Sequence, residues 1–391
     1  MISKPLARYL SLAIVALLPL YYLRFSIAGL PTNLIEILVG LLLILTLGLY
    51  RRLSLPYAWP IGLIVLGVVL ASSLALDPRA AFGIVKGWFM IPLIYYTCVT
   101  TIFSPDQRVV FIKPILVSLI LVSLYAIGQW LGIIQLLAHQ LPEAEQYLSQ
   151  SRAIGFFESP NFLAMYLVPL TLLTGGYLVL TKNYRPCWWL VLPLTAVVLS
   201  QSLAGLLALG GGIVWLWLRR PSGQRVPSQA GLIIVSLGAV ATLLALWKWA
   251  DDQGRWYIWQ SAWAMIKDHP ILGIGPGQFQ ANFMLPNEQN GLFAASLPYA
   301  LHPHNLLLNF YLSAGLLGVT GFVWLLVSSG RNFFRTAVRS PLMLAASAAL
   351  VAILIDGLFD STYFKNDLAI IFWLLVFLIG NGYKESNENR A

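Results

Sequence analysis

Two histidines and an asparagine stand directly before a long apolar run, in the segment LHPHNLLLNFYLSAGLLG that begins at residue 301. If a helix starts near His304, the positive end of its macrodipole disfavours a second positive charge on the imidazole. A neutral imidazole can accept a proton from a hydroxyl group. His304 is therefore a candidate base. The alternative is that His304, like His302, is only a polar residue that leads into the helix and caps it.

Two arginines have the chemistry to bind a phosphate group. Arg255 opens a tryptophan-rich stretch, and Arg152 precedes another apolar run. A guanidinium keeps its charge and can bind phosphate oxygens in a bidentate manner. If the apolar runs cross a membrane, either arginine could instead reach lipid headgroups or pair with Asp251, Asp252 or Glu158.

Acidic residues gather in IDGLFDSTYFKND, between two further apolar runs. Asp356 falls near the end of the first run, and an ionisable group inside an apolar slab is a candidate for function. We expect Asp360 and Lys365 to pair with each other in the connection. No cluster has the spacing of a metal site, and no nucleophile elbow or phosphate loop occurs, so we expect no metal and no cofactor.

The composition points to a membrane protein. Of the 391 residues, 59% are hydrophobic and 10% are charged, and the mean hydropathy is +0.77. A soluble protein of this size has too little interior to cover so much apolar surface. The net charge of +9 is scattered in pairs and triplets between apolar runs, which fits membrane topology and argues against nucleic acid as a partner.

Apolar runs near twenty residues predict an all-α, polytopic protein with about twelve transmembrane helices and a single membrane domain over 1–391. The predicted spans are 7–23, 32–50, 57–75, 81–103, 109–132, 157–180, 186–202, 204–219, 229–248, 304–329, 341–359 and 366–382. The pair 186–202 and 204–219 could also be one bent helix. The first run has the basic start of a signal peptide but no cleavage site, so we expect it to be retained.

Loop charges predict the orientation. Most of the 24 lysines and arginines fall at the two termini and in the loops after even-numbered spans, so both termini are expected to be cytoplasmic. The basic residues on the outer side run against this tendency, and each is for that reason a candidate for a role: Arg24, Arg79, Lys86, Arg152, Lys248, Arg255, Lys267 and Lys365.

The longest connection is 249–303, between the ninth and tenth spans on the outer side, and long ordered loops commonly carry function. Four apolar residues in it recur at helical spacing: Trp256, Trp259, Trp263 and Ile266. They predict an amphipathic helix that lies in the outer membrane interface, with its indole rings at headgroup depth.

The segment GRWYIWQSAWAMIKDHPILGIGPGQF, followed by HPHNLLLNFYLSAGLLG, resembles the bacterial O-antigen ligase and polymerase family of membrane glycosyltransferases. Ligases carry a histidine, then Asn, Ser or Gln, nine arbitrary residues, Gly, two more residues, and Gly. The chain matches this motif at every position, with His304, Asn305, Gly315 and Gly318.

Two other family-like patterns precede this motif. The nearer one is matched by Arg255, Trp259, His269, Pro270, Gly273, Gly275, Gly277 and Phe279. The farther one is matched by Arg152, Gly155, Phe157, Pro160 and Asn161. The chain departs from the family at one position, because many members carry an arginine at the outer end of a middle helix where this chain has Leu203.

The resemblance implies a glycosyltransferase of the bacterial inner membrane with a periplasmic active site. An acceptor hydroxyl, on the lipid A core or another surface glycan, would attack a glycan carried on undecaprenyl diphosphate, and the lipid diphosphate would leave. We expect Arg255, with Arg152 as its partner, to stabilise the diphosphate, and His304 to act as base or as hydrogen-bonding positioner. Further residues expected to contact substrate are Asn161, Asn305, Lys86 and Asp356.

Two other functions are compatible with the sequence. A polymerase would transfer the glycan to another lipid-linked repeat, and Leu203 leaves this open, although the complete His304 motif favours a ligase. A glycolipid transporter or flippase would also be polytopic, but transporters place charges at the bilayer midplane and often have two related halves. In this chain the charges lie near the outer rim and no such halves are apparent.

Overall fold

The computed structural model describes residues 3–27, 30–135, 143–220, 253–285, 297, 300–336 and 339–380, and these are mostly α-helical. The helices of the first part are α1 (Lys4–Leu17), α2 (Leu34–Leu49), α3 (Ala58–Ser73), α4 (Pro78–Val85), α5 (Ile91–Ile102) and α6 (Ile112–Trp130). The helices that follow are α7 (Glu143–Ser149), α8 (Pro160–Leu180), α9 (Val191–Ser200), α10 (Leu203–Arg219), α11 (Gln253–Asp268), α12 (Phe279–Phe283), α13 (Leu306–Arg335), α14 (Pro341–Asp356) and α15 (Asn366–Ile379). An antiparallel hairpin of β1 (Arg24–Ile27) and β2 (Leu30–Asn33) joins α1 to α2.

The helices agree with the apolar runs of the sequence. Within the described residues, those long and apolar enough to cross a membrane are Lys4–Tyr22, Pro78–Ile102, Pro105–Trp130, Pro160–Leu180 and Leu306–Arg335. Shorter apolar helices cover the other predicted spans, except 229–248, which lies outside the described residues. The architecture is thus that of an all-α membrane protein, while the full set of twelve spans stays a prediction.

The predicted pair at 186–202 and 204–219 forms two helices rather than one bent helix. Gln201 adopts the left-handed backbone conformation with φ of 52°, which ends α9. The Ser202 side chain then caps α10 by accepting a hydrogen bond from the backbone N–H of Gly205.

α15 lies at the centre of the molecule and is buried from Asp367 to Ile379. It packs against α14 and α5, and α14 in turn packs against α8 and α10. Outer helices expose large apolar side chains, such as Ile44 on α2 and Leu121 on α6, which are 64% and 56% exposed. Apolar side chains on an outer face suit contact with lipid.

A break in α13 holds the turn at 269–278. Gly315 has φ of 64° and ψ of −166°, so the helical bond from the Leu316 N–H to the Leu312 carbonyl is not made. The turn supplies a new partner for each of these two groups. The Leu316 N–H donates to the Ile271 carbonyl at 2.9 Å, and the Leu312 carbonyl accepts the Ile274 N–H at 2.8 Å. The turn is therefore hydrogen-bonded into the helix.

The second glycine of the motif lies where α13 packs along α3. A Cβ atom on Gly67 of α3 would lie 2.3 Å from the Ala314 carbonyl oxygen and 2.6 Å from the Gly318 nitrogen. The two helix backbones thus touch at this level. The motif glycines consequently have a structural explanation, since Gly315 permits the break and Gly318 belongs to the close crossing.

The tryptophan-rich segment forms α11, as predicted, but its four apolar residues of helical spacing differ in burial. Ile266 is buried together with Ile258, where α11 packs on α12 and α13, whereas Trp256 and Trp263 are more than half exposed. Trp259 is partly buried between them. The helix therefore has a buried aliphatic face and an exposed indole face, and its position in the outer interface stays a prediction.

We predict that Gly315→Ala destabilises the fold, because the added Cβ would lie 2.3 Å from the Ile271 carbonyl oxygen and φ is positive. The expected loss in the free energy of unfolding is roughly 1–3 kcal/mol. Gly330→Ala in the same helix is the matched control, since a Cβ there meets nothing within 4 Å. Denaturation in detergent compares the two variants, and equal stability would contradict this account of the break.

Candidate active site

His304 and Asp360 form the centre of a polar cluster beside the start of α13. The Nδ1 atom of His304 lies 3.1 Å from Oδ1 of Asp360. The same oxygen accepts the backbone N–H of Ser361 at 2.8 Å, and Oδ2 accepts the Asn161 amide at 3.2 Å. Burial alone would raise the pKa of Asp360, but His304, His302 and Arg255 bring this pKa well below its usual range. An ionised carboxylate can only accept hydrogen bonds, so Nδ1 of His304 must be the donor and carries the ring proton.

The connection at 357–365, between α14 and α15, carries Asp360 and is bound to the start of α13. The Leu306 N–H donates to the Gly357 carbonyl at 2.7 Å, and the Asn305 amide donates to the Leu358 carbonyl at 3.1 Å. Asp360 thereby reaches His304 although the two are 56 residues apart in sequence. One backbone bond and one side-chain bond between their flanking residues thus fix the geometry of the pair.

His302 lies inside the same cluster, although the sequence suggested only a helix lead-in. Its Nδ1 accepts the backbone N–H of His304 at 3.4 Å and lies 3.8 Å from Oδ1 of Asp360. The two imidazole rings have centroids 4.2 Å apart. Burial, followed by the neighbouring His304, lowers the pKa of His302 to about 3. His302 is therefore neutral at neutral pH.

Arg255 belongs to this site through the same connection. Its Nη1 donates to the Phe359 carbonyl at 2.6 Å, one residue before Asp360. Its charge also contributes to the lowered pKa values of Asp360 and His302. The first turn of α11 thus places a guanidinium beside the histidine pair, while the alternative partners Asp251 and Asp252 lie outside the described residues.

Arg152 joins the cluster from the other side, through Asn161. Its Nη2 donates to Oδ1 of Asn161 at 3.3 Å, and the Asn161 amide donates to Asp360. The Arg152 Nε donates to the Ser200 carbonyl at 3.1 Å, at the junction of α9 and α10. Ser200 is three residues before Leu203, where the family often has an arginine. A guanidinium thus lies at that junction although it comes from another part of the chain.

The expected pairing of Asp360 with Lys365 was wrong. Lys365 forms an ion pair with Glu158, and the Tyr21 hydroxyl donates to the same carboxylate at 2.8 Å. Burial alone would raise the pKa of Glu158, but Lys365 lowers it. The ammonium also lies over the Phe162 ring, 4.2 Å from its centroid. Lys365 therefore fixes the 357–365 connection to the start of α8. Asp360 contacts His304 instead of Lys365.

Lys86 pairs with Glu36 rather than with the histidine pair, whereas Asp356 lies one helical turn before Asp360. Lys86 Nζ lies 2.8 Å from Oε2 of Glu36, whose other oxygen accepts the Asn366 amide at 3.4 Å. Asp356 is the buried last residue of α14, and its carbonyl accepts the backbone N–H groups of Phe359 and Asp360. The substrate-binding roles assigned to both residues stay predictions.

Asn305 has a structural role that the motif alone does not show. Its side-chain oxygen accepts the backbone N–H groups of Leu307 and Leu308, which caps α13. Its amide donates to the Leu358 carbonyl. Asn305 thus ties the helix start to the connection, and any contact with substrate stays a prediction.

Sequence reasoning missed Asp360 as the partner of His304. The available signal was an acidic residue within the apolar tail of the chain, but nothing in the spacing connected it with a histidine 56 residues earlier. The fold also brings His302, His304 and Asp360 together as a set whose ligand atoms all lie within 4.8 Å of one another. No metal-like spacing in the sequence had indicated this set.

Comparison with known proteins gives one family match, which overlaps part of this site. No curated protein matches the chain. A family model described as O-antigen ligase matches residues 188–323, a range that contains both Arg255 and His304. Arg152 and Asp360 lie on either side of the matched range. The match confirms, over residues 188–323, the resemblance to the O-antigen ligase family that the motifs suggested.

Proposed function

We propose that this protein is a ligase that transfers a glycan from undecaprenyl diphosphate to an acceptor hydroxyl on the periplasmic side of the inner membrane. The observation that carries the proposal is the hydrogen bond between His304 and Asp360, with Arg255 bound to the residue before that aspartate. The family match supports the glycosyltransferase class.

The proposed step is a displacement at the anomeric carbon of the donor. The acceptor oxygen forms a bond to this carbon, and the bond from the carbon to the phosphate oxygen breaks, so the electron pair leaves with undecaprenyl diphosphate. The acceptor proton passes to Nε2 of His304. Because Asp360 accepts the Nδ1 proton, Nε2 keeps its lone pair and the carboxylate stabilises the imidazolium that forms.

Arg255 is proposed to stabilise the negative charge that grows on the departing diphosphate. A diphosphate is a good leaving group, so the barrier depends chiefly on that charge and on activation of the nucleophile. The Phe359 carbonyl fixes the guanidinium next to the connection that carries Asp360. The base and the cation are therefore held by one short segment, and the step needs neither a metal nor a nucleotide.

Arg152 is proposed as the second cation for the diphosphate. Its contacts with Asn161 and with the Ser200 carbonyl place it between Asp360 and the α9–α10 junction. Leu203, at the first residue of α10, leaves that junction without the arginine of other family members. We infer that Arg152 supplies the charge there.

The direct experiment uses the purified full chain with a glycan on undecaprenyl diphosphate and two separate acceptors, a lipid A core and a second lipid-linked repeat. We expect transfer to the lipid A core, read as a shift in acceptor mass. Transfer only to the lipid-linked repeat would show a polymerase instead. The absence of transfer to both acceptors would reject the proposal.

In this assay Arg255→Ala should lower turnover by roughly 10²–10³-fold, which corresponds to about 2.7–4 kcal/mol in the barrier. Arg52→Ala is the matched control, because Arg52 is exposed between α2 and α3, in a connection predicted to be cytoplasmic, and it should retain turnover. Equal rates for the two variants would remove Arg255 from the mechanism.

The role of Arg152 is tested by moving its charge. Arg152→Ala should lower turnover by about 10²-fold, and adding Leu203→Arg should restore part of it. Leu207→Arg places the same charge about one helical turn farther along α10, away from the α9–α10 junction, and should not restore turnover. Full turnover of Arg152→Ala, or equal rescue by both arginines, would contradict this role.

A further inference from the structure

We propose that His302, His304 and Asp360 form a binding site for a zinc-type divalent ion, and that its occupation inhibits transfer. The inhibitory part rests on the proposed function, because it assumes that His304 is the base. The binding part rests on geometry alone and has its own measurement.

The donor set suits such an ion. Two imidazole nitrogens and one carboxylate oxygen are ligands that zinc, cobalt and nickel accept readily. In a tetrahedral site with metal–ligand bonds of about 2.0–2.1 Å, the ligand atoms lie roughly 3.3 Å apart. Oδ1 of Asp360 lies 3.1 Å from His304 Nδ1 and 3.8 Å from His302 Nδ1. One ligand atom from each of the three residues can be chosen so that all lie within 4.8 Å of one another, so small side-chain shifts complete the set.

The local backbone prepares two of these ligands. His304 has a left-handed backbone with φ of 46°, and its N–H donates to Nδ1 of His302. This bond shows that Nδ1 of His302 carries a lone pair rather than a proton. An ion at Nδ1 of His302 would take the place of this long bond, and the same Nδ1 lies 3.8 Å from Oδ1 of Asp360.

Outer contacts hold the carboxylate in place. Oδ2 of Asp360 accepts the Asn161 amide at 3.2 Å, which orients Oδ1 towards the histidines. Such second partners of ligating groups are typical of metal sites. The side chains of His302 and His304 are each 22% exposed, so an ion has access from outside. Three protein ligands leave a further coordination position for water.

Binding at Nδ1 changes the tautomer of His304. In the metal-free ring, Asp360 holds the single proton on Nδ1 and leaves the lone pair on Nε2. When Nδ1 binds the ion, that proton moves through solvent to Nε2. The Nε2 atom then donates a hydrogen bond and has no lone pair for the acceptor proton, so transfer stops without any loss of the donor site.

The binding test titrates Co²⁺ into the purified full chain in detergent and follows its visible absorption, with Zn²⁺ as competitor. We expect one Co²⁺ site and displacement by Zn²⁺. His302→Gln should weaken binding at least tenfold, since it removes one of three ligands. His269→Gln is the matched control, because this histidine is exposed and outside the set, and it should bind as the wild type does. Absence of the Co²⁺ bands, or equal affinity of the two variants, would overturn the site.

The transfer test compares each variant with its own metal-free rate. Zn²⁺ should inhibit the wild type and His269→Gln alike, whereas His302→Gln should need at least tenfold more Zn²⁺ for the same inhibition. Equal inhibition of all three would overturn the regulatory claim. Co²⁺ binding without transfer to any acceptor would reject the proposed function but not the metal site. Transfer without Co²⁺ binding would reject the metal site but not the proposed function.

Discussion

The buried carboxylate of Asp360 constrains the whole outer end of this molecule. It is 3% exposed, and a buried charge is costly unless donors surround it. The donors come from three separate parts of the chain: Asn161 at the start of α8, His304 before α13, and the adjacent backbone of Ser361. Satisfying this one group therefore fixes the relative positions of elements that are far apart in sequence.

The glycine motif and His304 are parts of the same arrangement. Gly315 breaks α13 so that the turn at 269–278 replaces a helical hydrogen bond, and this turn follows directly from α11. Arg255 stands in the first turn of α11 and binds the Phe359 carbonyl. A helix break about three turns after His304 thereby helps to set where the arginine lies.

Much of this fold follows from the sequence, because apolar runs of sufficient length form helices in a membrane almost regardless of their neighbours. The boundaries of α8 and α10 and the existence of α11 are local consequences of capping and periodicity. The motif likewise brought Arg255 and His304 into one hypothesis.

Pairings across the fold did not follow from the sequence. Lys365 was matched with Asp360 because the two are close in the chain, yet its partner Glu158 lies 207 residues away. Ile266 was grouped with tryptophans by spacing, yet packing against α12 and α13 buried it. The partner of the base was missed for the same reason, since a contact between His304 and Asp360 has no local signature.

The central claim is that Asp360 acts through His304, and a double variant tests it most directly. Turnover is measured for Asp360→Asn, His304→Ala and the two combined, after folding of each is checked by thermal denaturation. If the carboxylate works only by orienting the imidazole and holding its proton, the double variant is no slower than His304→Ala alone. A double variant slowed by the product of the two single losses would show that the residues act independently, which would contradict the account.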